Sequence, residues 1–238
     1  MQSPKTLDVV VPCFNPRPGW GKLLTEGIVK LKQGLPANAL QSVILVNDGS
    51  TNGISDSEFE QLISSVTEVK IIEYSKNKGK GYAVRSGVRL GDADFTIYTD
   101  VDFPYVEESM VGFFQILAEN KADVVIASRG ESYYNSLSGF RKILSKSLRS
   151  LNGLLFGLKI KDTQGGLKGF NSAGKEVFLN TNVNRYLFDL EFVQNLSKTE
   201  LRIEAVDVHL KPEIVLPSLS PMILLKEIHN FIRLLIRR

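Results

Sequence analysis

"LDVVVPCF", Leu7–Phe14, is rich in β-branched residues and shows no alternation between apolar and polar positions. A strand exposed on one face alternates, whereas a strand covered on both faces does not. The stretch therefore reads as an inner strand of a sheet with helices on both faces. Four further runs read the same way: "SVILVND" (Ser42–Asp48), "VKIIEY" (Val69–Tyr74), "DFTIYTD" (Asp94–Asp100) and "DVVIASR" (Asp123–Arg129). Helical patterns lie between them, roughly over Trp20–Leu35, Asp56–Val66, Gly81–Leu90 and Glu107–Asn120. Alternating strands and helices predict parallel βαβ units, hence an α/β domain with an open, mostly parallel sheet. Such sheets bind ligands at the carboxyl ends of their strands. Here those ends carry "NPRP", "NDGS", "DVD" and "SRG".

The 238 residues suit one large domain or one domain plus an appendage, divided here as 1–215 and a C-terminal amphipathic segment, 216–238. Apolar content of 43% and charged content of 23% are those of a soluble globular chain. A net charge of +3 gives no overall nucleic-acid signature, and no nucleic-acid partner is expected. A single cysteine, Cys13, excludes an intrachain disulfide and points to a reducing compartment. The first residues lack the pattern of a signal peptide. No uncharged apolar stretch reaches the ~18 residues of a spanning helix. The expectation is a cytoplasmic protein that does not cross a membrane.

Three strand-end motifs carry chemistry. In "VNDGSTNG" (Val46–Gly53), Asp48 closes a strand, where its carboxylate can accept hydrogen bonds from a base or ribose or can serve as turn chemistry. In "NKGKGYAVRSG" (Asn77–Gly87), glycines flank Lys80 just before a helix. That loop can bring backbone N–H groups and an ammonium to an anion, or be a plain basic loop. It has neither the Walker nor the dinucleotide-binding spacing. In "FTIYTDVDFPY" (Phe95–Tyr105), Asp100 and Asp102 crowd two like charges beyond a strand end. A divalent cation would relieve the repulsion, and carboxylate oxygens with few protein ligands suit Mg²⁺ or Mn²⁺. A solvated acidic turn is the other reading.

Taken in order, "VVVPCFN", "ILVNDGS", "NKGKGYAVRSG", "YTDVD", "ASR", "KDTQGGLKGF" and "YLFDLEF" resemble the inverting family 2 glycosyltransferases of the GT-A fold. The branch most resembled transfers sugars to polyprenyl phosphates, the dolichyl-phosphate glucosyl- and mannosyltransferases, and the resemblance runs roughly from Leu7 to Leu210. It implies that Pro12, Asn15 and Asp48 line a nucleotide pocket. It places Lys80 and Arg85 at the base, ribose or diphosphate, and Asp100 and Asp102 at the diphosphate through a metal. Arg129 and Lys168 would face phosphates, and Asp162, Thr163 and Gln164 would border sugar and acceptor. Two positions depart from the family's pattern. Pro16 stands where an acidic residue is usual, and Gly165-Gly166-Leu167-Lys168 stands where Cys-Gly-Phe-Lys is frequent.

The implied donor is a nucleotide-diphosphate sugar. A hydroxyl acceptor, on a saccharide or lipid, would need a general base, for which Asp162, Asp189 and Glu191 are the candidates. A polyprenyl phosphate would need cationic clamps and alignment instead. Loss of catalysis, leaving a nucleotide-sugar-binding or membrane-scaffolding protein, is the reading from another class, and Pro16 speaks for it.

The tract Ser136–Lys161 carries an apolar stripe from Phe140 to Leu158 and the basic residues Arg141, Lys142, Lys146, Arg149, Lys159 and Lys161. This pattern fits either a membrane surface or a core-facing helix with a solvated basic face. By resemblance, Arg141 and Ser145 would meet an acceptor phosphate. Pro221–Arg238 is a second basic amphipathic stretch, which can lie on a bilayer, pack on its own domain or join two subunits. With a lipid acceptor, peripheral association with the inner face of the cell membrane is expected.

Overall fold

The computed structural model describes residues 4–129 and 165–211. Thirteen elements run in the order β1 (Leu7–Cys13), α1 (Trp20–Gly34), β2 (Leu40–Asn47), α2 (Asp56–Ser65), β3 (Val69–Glu73), α3 (Lys80–Leu90), β4 (Phe95–Tyr98), α4 (Glu107–Ala118), β5 (Val124–Arg129), β6 (Lys168–Phe170), α5 (Ser172–Leu179), α6 (Phe188–Leu196) and β7 (Ile203–Val208). The five expected strands and four expected helices are all present.

β1 is buried at every position and lies inside the sheet, whose order is β3-β2-β1-β4-β6-β5-β7. β1 pairs in parallel with β2 and β4, and β2 with β3. β6 interrupts this pattern, running antiparallel between β4 and β5. Tyr98, the last residue of β4, therefore faces Lys168, the first of β6. The reversal brings the start of β6 to the edge where β4 and β5 end.

Helices cover both faces. Trp20, Leu24, Ile28 and Leu31 place one stripe of α1 in a core shared with Phe103, Met110 and Phe113. Val84 and Val88 of α3 join Tyr98, Phe170, Phe178, Phe188 and Phe192 in the core of the opposite face. The rings of Phe170 and Phe178 stack at 5.4 Å, and Phe192 meets Phe178 edge-on at 5.1 Å. α2 is capped by Ser55, which accepts from Glu58 N–H, and begins with Asp56 and Glu58 at its positive end. Cys13 is a buried free thiol whose pKa is pushed up to about 12, chiefly by burial.

Among the described residues no helix is long and apolar enough to cross a membrane. The tracts 136–161 and 216–238, with Arg141, Ser145, Asp162, Thr163 and Gln164, lie outside the described residues.

Candidate active site

The loops after β1, β2 and β4 meet at one edge of the sheet. Asn15, at φ 45°, ties the first two together. Its Oδ1 accepts from the N–H groups of Thr51 (2.8 Å) and Asn52 (3.1 Å), and its own N–H donates to Ser50 Oγ (3.0 Å). Pro16 is buried, and its carbonyl lies so close to Gly53, at φ 73°, that no side chain fits there. The position where the family's acid is usual is thus used for loop packing. Pro12 is buried in β1, opposite Val46.

Asp48 is buried, and its carboxylate accepts from Lys78 N–H, Gly79 N–H and Asn77 Nδ2, each at 2.8 Å. The resemblance sets Asp48 at a base or ribose; in the structure these oxygens hold the loop that leads into α3. Arg85 is also engaged within the fold. Its buried guanidinium donates to Val183 O (2.7 Å), Thr181 Oγ1 (3.2 Å) and Asn184 Oδ1 and so supports the 181–184 loop. Glu191 caps the same loop, accepting from Asn182 N–H (2.8 Å) and Val183 N–H (2.7 Å). One oxygen of Glu191, a base candidate in the sequence, is thus taken up by this loop.

Lys80, the first residue of α3, donates to Asp100 Oδ1. Their side chains are 23% and 37% exposed. Burial works against the ammonium, but Asp100 and then Asp189 outweigh it and raise its pKa. Asp102 is half-buried. Burial first, and the charge of Asp100 second, pushes its carboxyl above the ordinary aspartate value. Lys80 thus answers part of the crowding that the sequence poses, and Asp102 keeps the rest. Gly166 lies against the pair, since a Cβ there would stand 2.8 Å from Asp100 Oδ2. Tyr105 Oη holds this glycine, accepting from its N–H at 2.9 Å.

Beneath the cluster Lys168 is fully buried. Its ammonium donates to Asp189 Oδ1 and to Gly165 O, both at 2.7 Å. Tyr98 Oη donates to the same carboxylate oxygen, and burial followed by Asp189 pushes the Tyr98 pKa well up. Lys168, which the resemblance sets facing a phosphate, braces the Gly165–Gly166 turn from below. One oxygen of Asp189, Oδ1, thus accepts from both Lys168 and Tyr98. Arg129 closes β5 opposite Val208 of β7.

Several participants were missed in the sequence. Lys211 pairs with Glu107 at 2.7 Å, its N–H donates to Pro104 O at 2.9 Å, and Val106 N–H donates to His209 O at 3.1 Å. The residues after Asp102 are thereby stitched to the end of the described chain. Lys78 lies 4.6 Å from the centroids of both Tyr74 and Tyr82. Tyr98 alone had a usable signal, because the hydroxyl of a tyrosine inside a buried strand requires a partner.

An open, mostly parallel sheet of this order with helices on both faces is the fold of the GT-A glycosyltransferase class. Glucosyl-3-phosphoglycerate synthase from Mycobacterium tuberculosis, solved with Mn²⁺, uridine diphosphate and glucosyl-3-phosphoglycerate, shares the fold. Its TM-score is 0.64 at 16% identity, over 93% of this chain and 75% of that one. A mannosyltransferase from Pyrobaculum calidifontis in complex with GDP-Man and Mn²⁺ matches at a TM-score of 0.59 and 16% identity, over 85% of this chain and 55% of that one. The sequence model described as "Glycosyl transferase family 2" matches residues 8–178, and the chain belongs to that family. It is similar to the dolichyl-phosphate beta-glucosyltransferases of Drosophila melanogaster (29% identical over 85% of this chain), Saccharomyces cerevisiae (28% over 85%) and Homo sapiens (29% over 79%). The chain spans 66%, 66% and 62% of the lengths of these three relatives.

Proposed function

We propose that the protein transfers a hexose from a nucleotide-diphosphate sugar to a polyprenyl phosphate, with inversion at the anomeric carbon. The observation that carries the donor half is the Lys80–Asp100–Asp102 cluster at the carboxyl end of β4. Hard carboxylate oxygens without histidine or sulfur suit Mg²⁺ or Mn²⁺. Among the described residues no three His, Cys, Asp or Glu side chains gather into a complete cage, so phosphate oxygens of the donor would finish the coordination. When bound, such a cation supplies charge stabilisation to the departing nucleoside diphosphate.

The chain's own residues do the remaining work. Asp100 and Asp102 orient the diphosphate end of the donor. Lys80, at the positive end of α3, adds a second positive charge beside the leaving group. The Lys168–Asp189–Tyr98 brace holds the Gly165–Gly166 turn against Asp100. A phosphate acceptor is anionic at neutral pH and needs no general base. This agrees with the internal engagement of Asp189 and Glu191. By the resemblance, Arg129, Arg141 and Ser145 clamp the acceptor phosphate, and Asp162 and Gln164 border the sugar. The basic amphipathic tracts 136–161 and 221–238 supply peripheral contact with the cytoplasmic face of a membrane. The names of the relatives support the acceptor class.

The test is a donor screen against a short-chain polyprenyl phosphate with Mg²⁺, Mn²⁺ or chelator. Transfer that requires both the lipid phosphate and the cation is expected. Transfer to a saccharide hydroxyl with no response to the lipid phosphate would overturn the acceptor assignment.

A further inference from the structure

Lys80 occupies one of the two oxygens on which a cation at Asp100 would depend. Its ammonium covers Oδ1, while Oδ2 lies against the bare backbone of Gly166, where even a methyl group would stand 2.8 Å away. The pair is partly open to solvent, with side chains 23% and 37% exposed. A lysine ammonium is a point charge on a flexible four-carbon stem. The backbone beneath it is fixed, because Asp48 holds the N–H groups of Lys78 and Gly79. The stem can swing while its root stays in place.

We infer that Lys80 stands in for the cation in the donor-free protein and makes cation and nucleotide bind together. The inference rests on the reading above, that Asp100 and Asp102 take a divalent ion. A cation that arrives alone meets an ammonium at short range and must break the pair to reach Asp100. A nucleoside diphosphate offers Lys80 another anionic partner, so the carboxylate is released as the phosphates arrive. Linkage is reciprocal: nucleotide must tighten cation binding by the same factor that cation tightens nucleotide binding. The gain is selectivity, because free divalent ion does not saturate an idle site.

The experiment measures Mn²⁺ binding to the 238-residue chain by electron paramagnetic resonance of the free ion, without nucleotide and with UDP or GDP. Wild type, Lys80→Met, Lys80→Gln, Lys80→Arg and Asp102→Asn are compared. Two neutral variants are included so that a folding defect in one leaves the other to decide. A unit charge at this range shifts a divalent equilibrium by about tenfold or more. Wild type is expected to bind Mn²⁺ weakly alone and at least about tenfold more tightly with nucleotide. Lys80→Met and Lys80→Gln bind Mn²⁺ alone about tenfold more tightly than wild type, and the further tightening by nucleotide, which still supplies phosphate oxygens, is smaller than in wild type by about the same factor. Lys80→Arg keeps the wild-type pattern. If the neutral variants bind Mn²⁺ alone no better than wild type, while nucleotide still tightens it and Asp102→Asn still loses it, the stand-in role is refuted and the metal site survives. If wild type binds no Mn²⁺ even with nucleotide, or Asp102→Asn binds it unchanged, the metal reading fails and the inference falls with it.

Discussion

Lys80–Asp100 and Lys168–Asp189 join the same two side-chain types at the same edge of one sheet, yet they sit in different surroundings. Lys168 is fully buried, with its ammonium shared between a carboxylate and a carbonyl, and Tyr98 donates to the same carboxylate oxygen. Lys80 makes its pair at the mouth of the site, where both partners keep contact with water. Burial sets what each pair can do. Separating the inner pair would strand charge away from solvent, which is strongly unfavourable. Separating the outer pair costs little, because water and substrate phosphates can replace either partner. The first pair is a strut and the second an exchangeable contact.

The largest effect should follow from attacking the strut. Lys168→Met leaves the Asp189 carboxylate without its buried partner and should destabilise the fold by about 3–5 kcal/mol in urea unfolding. Adding Asp189→Leu should recover much of that loss, since a well-packed apolar pair tolerates burial. A Lys168→Met loss below about 1 kcal/mol would erase the distinction between the two pairs.

Asp102→Asn should show the opposite profile. Hexosyl transfer should fall by roughly 10²–10³-fold if the residue serves transition-state charge, with the unfolding midpoint close to that of wild type. Full transfer by this variant in chelator would remove the metal from the reaction.

The exchangeable pair should be nearly silent in stability. Lys80→Met should change the unfolding free energy by no more than about 1 kcal/mol, read in the same urea titration as Lys168→Met. A loss as large as that of Lys168→Met would make both pairs struts.

A third pair lies remote from the site, where Arg202 donates to Asp123 at 3.0 Å between β5 and β7. Hydrogen bonds from Arg202 are the main cause that lowers the Asp123 pKa from 3.8 to about 2. A lowered carboxylate pKa adds stability that is complete above the unfolded value and lost as pH falls through the folded one. The melting temperature of wild type should exceed that of Asp123→Asn above about pH 4. The gap should close as pH approaches 2. A gap that is constant with pH would dissociate the pair from acid sensitivity.

The parallel half of the fold was legible because its signal is local. β1 to β4 and the helices between them show in uninterrupted apolar runs and in 3.6-residue periodicity, and their ends fall close to the expected positions. The antiparallel part was not. β6 has three residues, Lys168–Phe170, too few for any period, and its neighbours β4 and β5 are known only from the sheet order. The site divides in the same way. Asp100, Asp102 and Lys80 were found because a strand end next to a glycine-flanked lysine is visible along the chain. The roles of Asp48, Arg85 and Lys168 depend on donors and acceptors distant in sequence, as with Lys78 N–H on Asp48 and Val183 O under Arg85. A resemblance can place such residues near a substrate, but only geometry shows whether their polar atoms are already engaged.

The position of β6 has a consequence for how the chain assembles on the ribosome. β1 to β4 can pair as soon as they are made, but the outer edge of β4 has no partner until Lys168–Phe170 emerges. β5 is synthesised earlier yet touches β4 only through that late segment. At about 5–20 residues per second, the nascent chain holds an open, apolar strand edge for seconds. Such an edge is a template for wrong pairing, and Ile97, in the middle of β4, is fully buried once the sheet is complete. Translation pauses or chain ends before residue 168 should therefore yield aggregates, whereas release after β7 should yield a closed sheet.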